Sequence, residues 1–136
     1  MNAHLFELVL SIKRKCLSTE EEVQKELDLS PAEFSGLLSI KSREKVSGNM
    51  FAERMGLSPS RGSRVLWRLV SRGFIRMEVD AEDRRNIVVS LTPQGRNMKK
   101  RLENRMLKCE GKVLSALPQD MVEEIKESLS VLEKAM

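Results

Sequence analysis

Residues 47–74 read SGNMFAERMGLSPSRGSRVLWRLVSRGF, and two helices joined by a tight turn can be placed on them. Ser47 supplies a cap for a short helix with Phe51 and Met55 on its inner side, and Gly56 ends it. Ser58-Pro59 restarts the chain with a hydroxyl cap and Pro in the first turn. The helix predicted there runs from 58 to about Arg72 and stops before Gly73. At about 100° per residue, Val65, Leu66, Leu69 and Val70 share one side with Gly62 and Gly73. Arg61, Arg64, Arg68 and Arg72 fall within about 80° of each other on another side, with Ser60 and Ser63 near the N-terminal end. No acidic residue occurs from Ser58 to Met77. A helix that reads nucleic acid needs this division, because apolar residues hold it on its domain while cationic donors reach phosphates and base edges. The plainer alternative is an amphipathic helix with a solvated Arg face.

Working outward, two β-prone runs follow, Phe74–Val79 and Ile87–Leu91. The polar Asp80-Ala81-Glu82-Asp83-Arg84-Arg85-Asn86 separates them, which predicts a hairpin with a charged tip. Upstream, Ser30-Pro31-Ala32-Glu33 gives cap, Pro and Glu in order, for a helix carrying Phe34, Leu37 and Leu38 inward. Ser18-Thr19-Glu20-Glu21 reads as another helix start, and before it Leu5, Leu8, Val9, Ile12 and Cys16 recur at helical spacing. Downstream, Thr92-Pro93-Gln94 restarts a helix along Met98, Leu102, Met106, Cys109, Val113 and Leu117. Pro118 breaks it, and a last helix carries Val122, Ile125, Leu129, Leu132 and Met136 in three-four alternation. These terminal stripes are too long for a small domain to cover alone, so we expect them to meet the same helices of a second copy across a two-fold axis. Plain core packing is the alternative. The predicted class is mainly α: a single domain, 1–136, with a winged helix-turn-helix at 30–95. It has a two-stranded β-hairpin wing, with N- and C-terminal dimerisation helices at 1–29 and 96–136.

The charge follows the same division. The net charge is +4, yet residues 41–108 hold 17 Lys+Arg against 7 Asp+Glu, while 1–40 and 109–136 each come to −3. A basic centre between acidic ends sets the local field more than the net charge does, and most of these central cations are Arg, suited to planar phosphate and base-edge recognition. With 40% apolar and 32% charged residues the chain reads as globular. No apolar run approaches the ~20 residues of a membrane span. The first apolar stretch ends in Lys13-Arg14-Lys15 with no small-residue cleavage site after it, so no secretory leader is expected. Cys16 and Cys109 are too few for a disulfide scaffold, which predicts a reducing, cytoplasmic setting. One His and no Tyr thin the choice of general acids and bases. No phosphate loop, Ser/His/Asp order or paired carboxylates are found, so no enzyme and no cofactor are expected. His4 and two distant cysteines lack metal-ligand spacing.

The stretch from Ser47 through Arg72-Gly73-Phe74-Ile75, with Asp83-Arg84-Arg85 and Val89-Ser90-Leu91-Thr92-Pro93-Gln94-Gly95, resembles the MarR family of bacterial transcription regulators. The Asp-x-Arg wing followed by a Leu-Thr-x-x-Gly helix start is the specific part. The resemblance covers roughly residues 30–110. It implies a repressor acting as a homodimer, whose recognition helices enter successive major grooves of a pseudo-palindromic double-stranded DNA operator, with the wings in flanking minor grooves. The DNA-binding set it implies is Ser58, Ser60, Arg61, Ser63, Arg64 and Arg68 on the helix, with Asp83, Arg84 and Arg85 on the wing. Arg85 would enter the minor groove, where negative potential is concentrated, and Asp83 would orient it. A surface ion pair is the simpler account of those two.

Three residues depart from the family pattern: Gly62, where a larger residue is usual, Trp67, more often polar, and Val70, often acidic. Gly62 costs roughly 1 kcal/mol against Ala. Trp67 lies off the apolar face and is expected to pack on the wing or the neighbouring helix rather than touch DNA. The resemblance also implies release by a small aromatic effector or by thiol oxidation. Cys16 stands about where thiol-sensing relatives carry their reactive residue, beside Lys13, Arg14 and Lys15. Without Tyr beside it, a buried, inert Cys is the competing reading, and Cys109 reads the same way. Two rival functions stay open: a winged-helix module docking an acidic protein partner, and a thiol enzyme using Cys16.

Overall fold

The caps read from the sequence at Ser30, Ser47 and Ser58 are made as hydrogen bonds in the computed structural model, which describes residues 3–136. In chain order the elements are α1 (Leu5–Leu27), α2 (Pro31–Ser39), β1 (Val46–Ser47), α3 (Gly48–Arg54), α4 (Pro59–Ser71), β2 (Ile75–Val79), β3 (Ile87–Leu91), α5 (Pro93–Ala116) and α6 (Val122–Ala135). They fall into two compact units, one through Glu103 and one from Asn104 on, so that α5 contributes to both.

In the first unit, Ser30 Oγ accepts from Glu33 N–H at 3.1 Å while Glu33 Oε1 accepts from Ser30 N–H at 3.0 Å, a reciprocal cap on α2. Ser47 Oγ accepts from Met50 N–H at 3.0 Å and Ser58 Oγ from Arg61 N–H at 3.3 Å, opening α3 and α4. Between them Gly56 takes φ +66°, a left-handed conformation that lets Leu57 N–H reach back to Ala52 O at 2.9 Å and turns the chain sharply. The core of this unit gathers Val23, Leu37, Ile40, Phe51, Leu66, Leu69, Val89 and Leu102 around α2, α3 and α4. Lys99, 8% exposed, donates from Nζ to Ile40 O and so ties α5 to the end of α2.

The sheet is antiparallel in the order β1-β3-β2. β2 and β3 form the expected hairpin, pairing Ile75 with Leu91 and Val79 with Ile87. The third strand, β1, pairs Val46 with Val89 and was not anticipated, since two residues are too short a run for a period-2 signal. Burial tapers along the hairpin: Ile75 and Leu91 are buried at its base, while Val79 and Ile87 are exposed near its tip. The wing is therefore anchored at one end and free at the other.

Several expectations are corrected. The helix start expected at Ser18-Thr19 does not occur, and α1 runs straight through. Thr19 Oγ1 donates back to Lys15 O at 3.1 Å, using the hydroxyl inside the helix instead of at a cap. Leu38, expected inside, is exposed, because Phe34 and Leu37 already fill the inner face of α2. Trp67 is 58% exposed and borders a groove with Glu33 of α2, so most of its ring is left open. Gly62 is explained, since a Cβ there would stand 3.0 Å from Ala52 Cα and closer still to Ala52 Cβ. The α3–α4 approach requires the missing side chain.

The second unit holds the C-terminal part of α5, a 3-10 turn at Gln119–Met121 after Pro118, and α6. No residue of α6 is buried, and Leu129 and Val131 are exposed. Among the described residues, no helix is long and apolar enough to cross a membrane.

Candidate nucleic-acid interface

The exposed face of α4 is built by the same geometry that buries its other face. Gly62, Val65, Leu66 and Leu69 are buried against α2 and α3. Arg61, Arg64 and Arg68 are exposed, as is Ser60, and Ser63 is half-exposed. Ser58 serves its own helix as cap, with its Oγ also 3.3 Å from Ser60 Oγ.

Arg72 leaves the expected four-Arg face. It lies at the C-cap of α4, where Nη1 donates to Glu33 Oε2 at 2.9 Å and to Asp28 O at 2.6 Å. Its guanidinium also stands 5.0 Å from the centroid of the Phe74 ring. Arg72 thus joins the ends of α1 and α2 to α4. Burial pushes the Glu33 carboxyl up, but the hydrogen bonds from Arg72 and Ser30, with the Arg72 charge, outweigh it and hold the group below its ordinary value. On the far side of the unit, Arg54 makes a two-pronged pair with Glu44 at 2.6 and 3.0 Å and donates to Ser39 O at 2.9 Å. Those Arg54 hydrogen bonds, helped by the Lys41 N–H, hold the Glu44 carboxyl down at about 2.

The structure thus sorts its arginines. Arg54, Arg72 and Arg96 are engaged with protein oxygens. Among the described residues, the side chains of Arg61, Arg64, Arg68, Arg84 and Arg85 have no hydrogen bond or ion pair, as is true also of Arg14, Arg43, Arg76 and Arg101 elsewhere; what sets the five apart is their place on α4 and the wing tip. Sequence reasoning could not separate the two groups, because Glu33 and Asp28 are some 40 positions from Arg72 and only the fold brings them together.

At the wing tip Asp83 orients the chain through the backbone. Its Oδ1 accepts from Arg85 N–H at 3.1 Å and its Oδ2 from Asn86 Nδ2 at 3.3 Å. The surface ion pair of Asp83 with the Arg85 guanidinium is not formed. Arg84 and Arg85 are exposed, and Arg85 lines a cleft of about 190 Å³ with Ser47, Asn49, Pro59, Ser63 and Met77. The wing and the N-terminal turn of α4 therefore share one border.

Cys16 is exposed on α1, against the reading of a buried thiol, and Cys109 is half-buried; both are free. Among the described residues, no three His, Cys, Asp or Glu side chains converge as a metal site would need.

A basic helix presented by a tight turn, flanked by a hairpin with unpaired arginines, defines a winged helix-turn-helix DNA-binding protein. The comparisons agree. The MarR family model matches residues 29–87. The chain is 31% identical over 111 residues to the uncharacterized HTH-type transcriptional regulator YfiV of Bacillus subtilis (strain 168), covering 81% of this chain and 69% of that one. Wild-type MarR (apo form) from E. coli superposes with a TM-score of 0.83 at 20% identity, covering 97% of this chain and 98% of that one. A mutant of S. aureus MepR bound to an oligodeoxyribonucleotide gives a TM-score of 0.70 at 18% identity, covering 98% and 99%. The chain belongs to the MarR family and is a DNA-binding transcriptional regulator.

Proposed function

We propose that the protein is a sequence-specific repressor that binds a pseudo-palindromic operator as a homodimer, with α4 in the major groove and the wing in the minor groove. The observation that carries this reading is the set of five unpartnered arginines, Arg61, Arg64, Arg68, Arg84 and Arg85, on α4 and the adjoining wing tip. Unpaired guanidiniums without a nearby acid are stabilised by phosphate and by base edges, and MepR in an oligodeoxyribonucleotide complex shares the fold. Ser58, Ser60 and Ser63 add short donors at the helix start, and Asp83 holds the wing tip in shape.

Pairing of two copies is supported by large apolar residues left exposed on the terminal helices. Leu5, Phe6, Leu8, Leu10, Ile12 and Leu17 lie open on α1. Such residues are stabilised by burial against a second copy. A small aromatic acid would find in the cleft beside Arg85 a guanidinium for its carboxylate and Leu66, Met77 and Ile87 for its ring.

The test is selection of duplexes from a random double-stranded library, then gel-shift titration at several salt concentrations. Arg64→Ala and Arg68→Ala should each weaken binding and lower the slope of log K against log salt by about 1, and Arg85→Ala should weaken recognition of the operator flanks. Unchanged affinity in all three variants overturns the assignment. An acidic-protein docking module would instead recover no preferred duplex.

A further inference from the structure

We infer that Trp67 is a specificity-determining residue of the DNA-reading surface, packing its indole against the C5 methyl of a thymine in the major groove. This rests on the duplex-binding reading above and assigns a base contact to a residue outside the polar set.

Trp67 is 58% exposed, although it is a side chain that normally buries a large area. At about 100° per residue it lies about 140–160° around α4 from the buried Gly62 and Leu69, so it faces directly away from the core. On the same turn of the wheel it stands about 20° from Ser60, 40° from Ser63 and 60° from Arg64. Trp67 therefore stands on the solvent face beside the unpartnered Arg64 and Arg68, which lie about 60° and 100° round the helix on one side of it. Its Nε1–H has no acceptor among the described residues.

The surroundings select the occupant. The exposed apolar residues of α1 lie beside one another and suit another apolar helix. Trp67 is instead ringed by Arg68, Ser71, Arg72 and Glu33 in a shallow groove. Glu33 is buried and neutralised by Arg72, which leaves the unpaired charge around the indole positive. A surface with an apolar indole flanked on one side by Arg64 and Arg68 complements the major groove, with phosphates along its rims and, on its floor, the thymine methyl as the apolar feature of the base edges.

Trp67 is the single tryptophan of the chain, so its fluorescence reports on this contact alone. The experiment takes the duplex recovered by the wild-type protein from a random library and replaces each dT by dU in turn, which removes only the methyl group. The expected result is quenching or a spectral shift of Trp67 on binding, and a loss of about 3- to 10-fold in wild-type affinity at one or two dU positions per half-site. Trp67→Ala should bind dT and dU duplexes equally at those positions, and Trp67→Phe should retain part of the discrimination. Being exposed, position 67 tolerates both changes without loss of fold, which circular dichroism checks. Equal wild-type affinity for every dT/dU pair overturns the inference, as does discrimination surviving in Trp67→Ala or fluorescence unmoved by a duplex that binds. Quenching without methyl discrimination would place the indole on the sugar-phosphate backbone and also overturns it. Failure to recover any preferred duplex removes the operator reading itself, an outcome distinct from these.

Discussion

Arg72 Nη1 lies 2.9 Å from Glu33 Oε2, joining the last turn of α4 to the first turn of α2 across 39 residues of chain. The same nitrogen donates to Asp28 O, so one guanidinium closes three chain ends. Arg72→Ala leaves a largely buried carboxylate without its cation and should cost about 1–3 kcal/mol of stability, read from the urea midpoint. Adding Glu33→Gln should cost less in that background than in the wild type, because the pair is lost once. The salt slope of DNA binding should stay as in the wild type. A slope lowered by about 1 would place Arg72 with the phosphate-facing cations instead.

Gly62→Ala tests the α3–α4 approach. In an exposed helix the change would gain about 1 kcal/mol. Here the new Cβ meets the backbone and side chain of Ala52, neither of which can swing away. The clash should outweigh the propensity and destabilise by about 1–3 kcal/mol, with α4 displaced and duplex affinity reduced. A variant that melts at or above the wild-type temperature would show that the two helices part without cost.

What the sequence made legible, and what it did not, follows the range of the forces involved. Caps act over three residues, so Ser30, Ser47 and Ser58 announced their helices correctly. The hairpin was visible because β2 and β3 are each five residues long and adjacent in the chain. Thr19 misled, since a hydroxyl that caps one helix can donate inside another. Arg72 and Trp67 were misplaced for a different reason. A helical wheel gives angles but not neighbours, and neither the Glu33 carboxylate nor the open space around the indole is written near them in the sequence.

The wing tip depends on one carboxylate acting through the backbone. Asp83 Oδ1 accepts from Arg85 N–H, and the Asp83 carbonyl accepts from Asn86 N–H at 3.0 Å. Asp83→Ala should leave global stability within about 0.5 kcal/mol, because the tip is exposed. It should still speed hydrogen exchange at the Arg85 amide and weaken recognition of operator flanks nearly as much as Arg85→Ala. Asp83→Asn keeps the Oδ1 acceptor and should restore most of both. Slow exchange at Arg85 in Asp83→Ala would assign the loop's shape to its other hydrogen bonds.

Acid should loosen the protein through Glu44. Its two oxygens receive Arg54 Nη1 and Nη2 at 2.6 and 3.0 Å, and Lys41 N–H adds a third bond at 3.2 Å. These donors favour the carboxylate and lower its pKa from 4.5 to about 2 in the folded protein. Because the folded value lies below the unfolded one, the stabilisation is fully present above about pH 4.5 and is lost as pH falls toward about 2. Glu33, lowered in the same direction, adds to the loss. In thermal melts, Glu44→Gln should lie below the wild type by a constant margin near neutrality, and the two curves should converge as the pH approaches 2. A margin that persists undiminished at the acid end would mean that the Arg54 contact holds without the charge on Glu44, and that acid unfolding begins elsewhere.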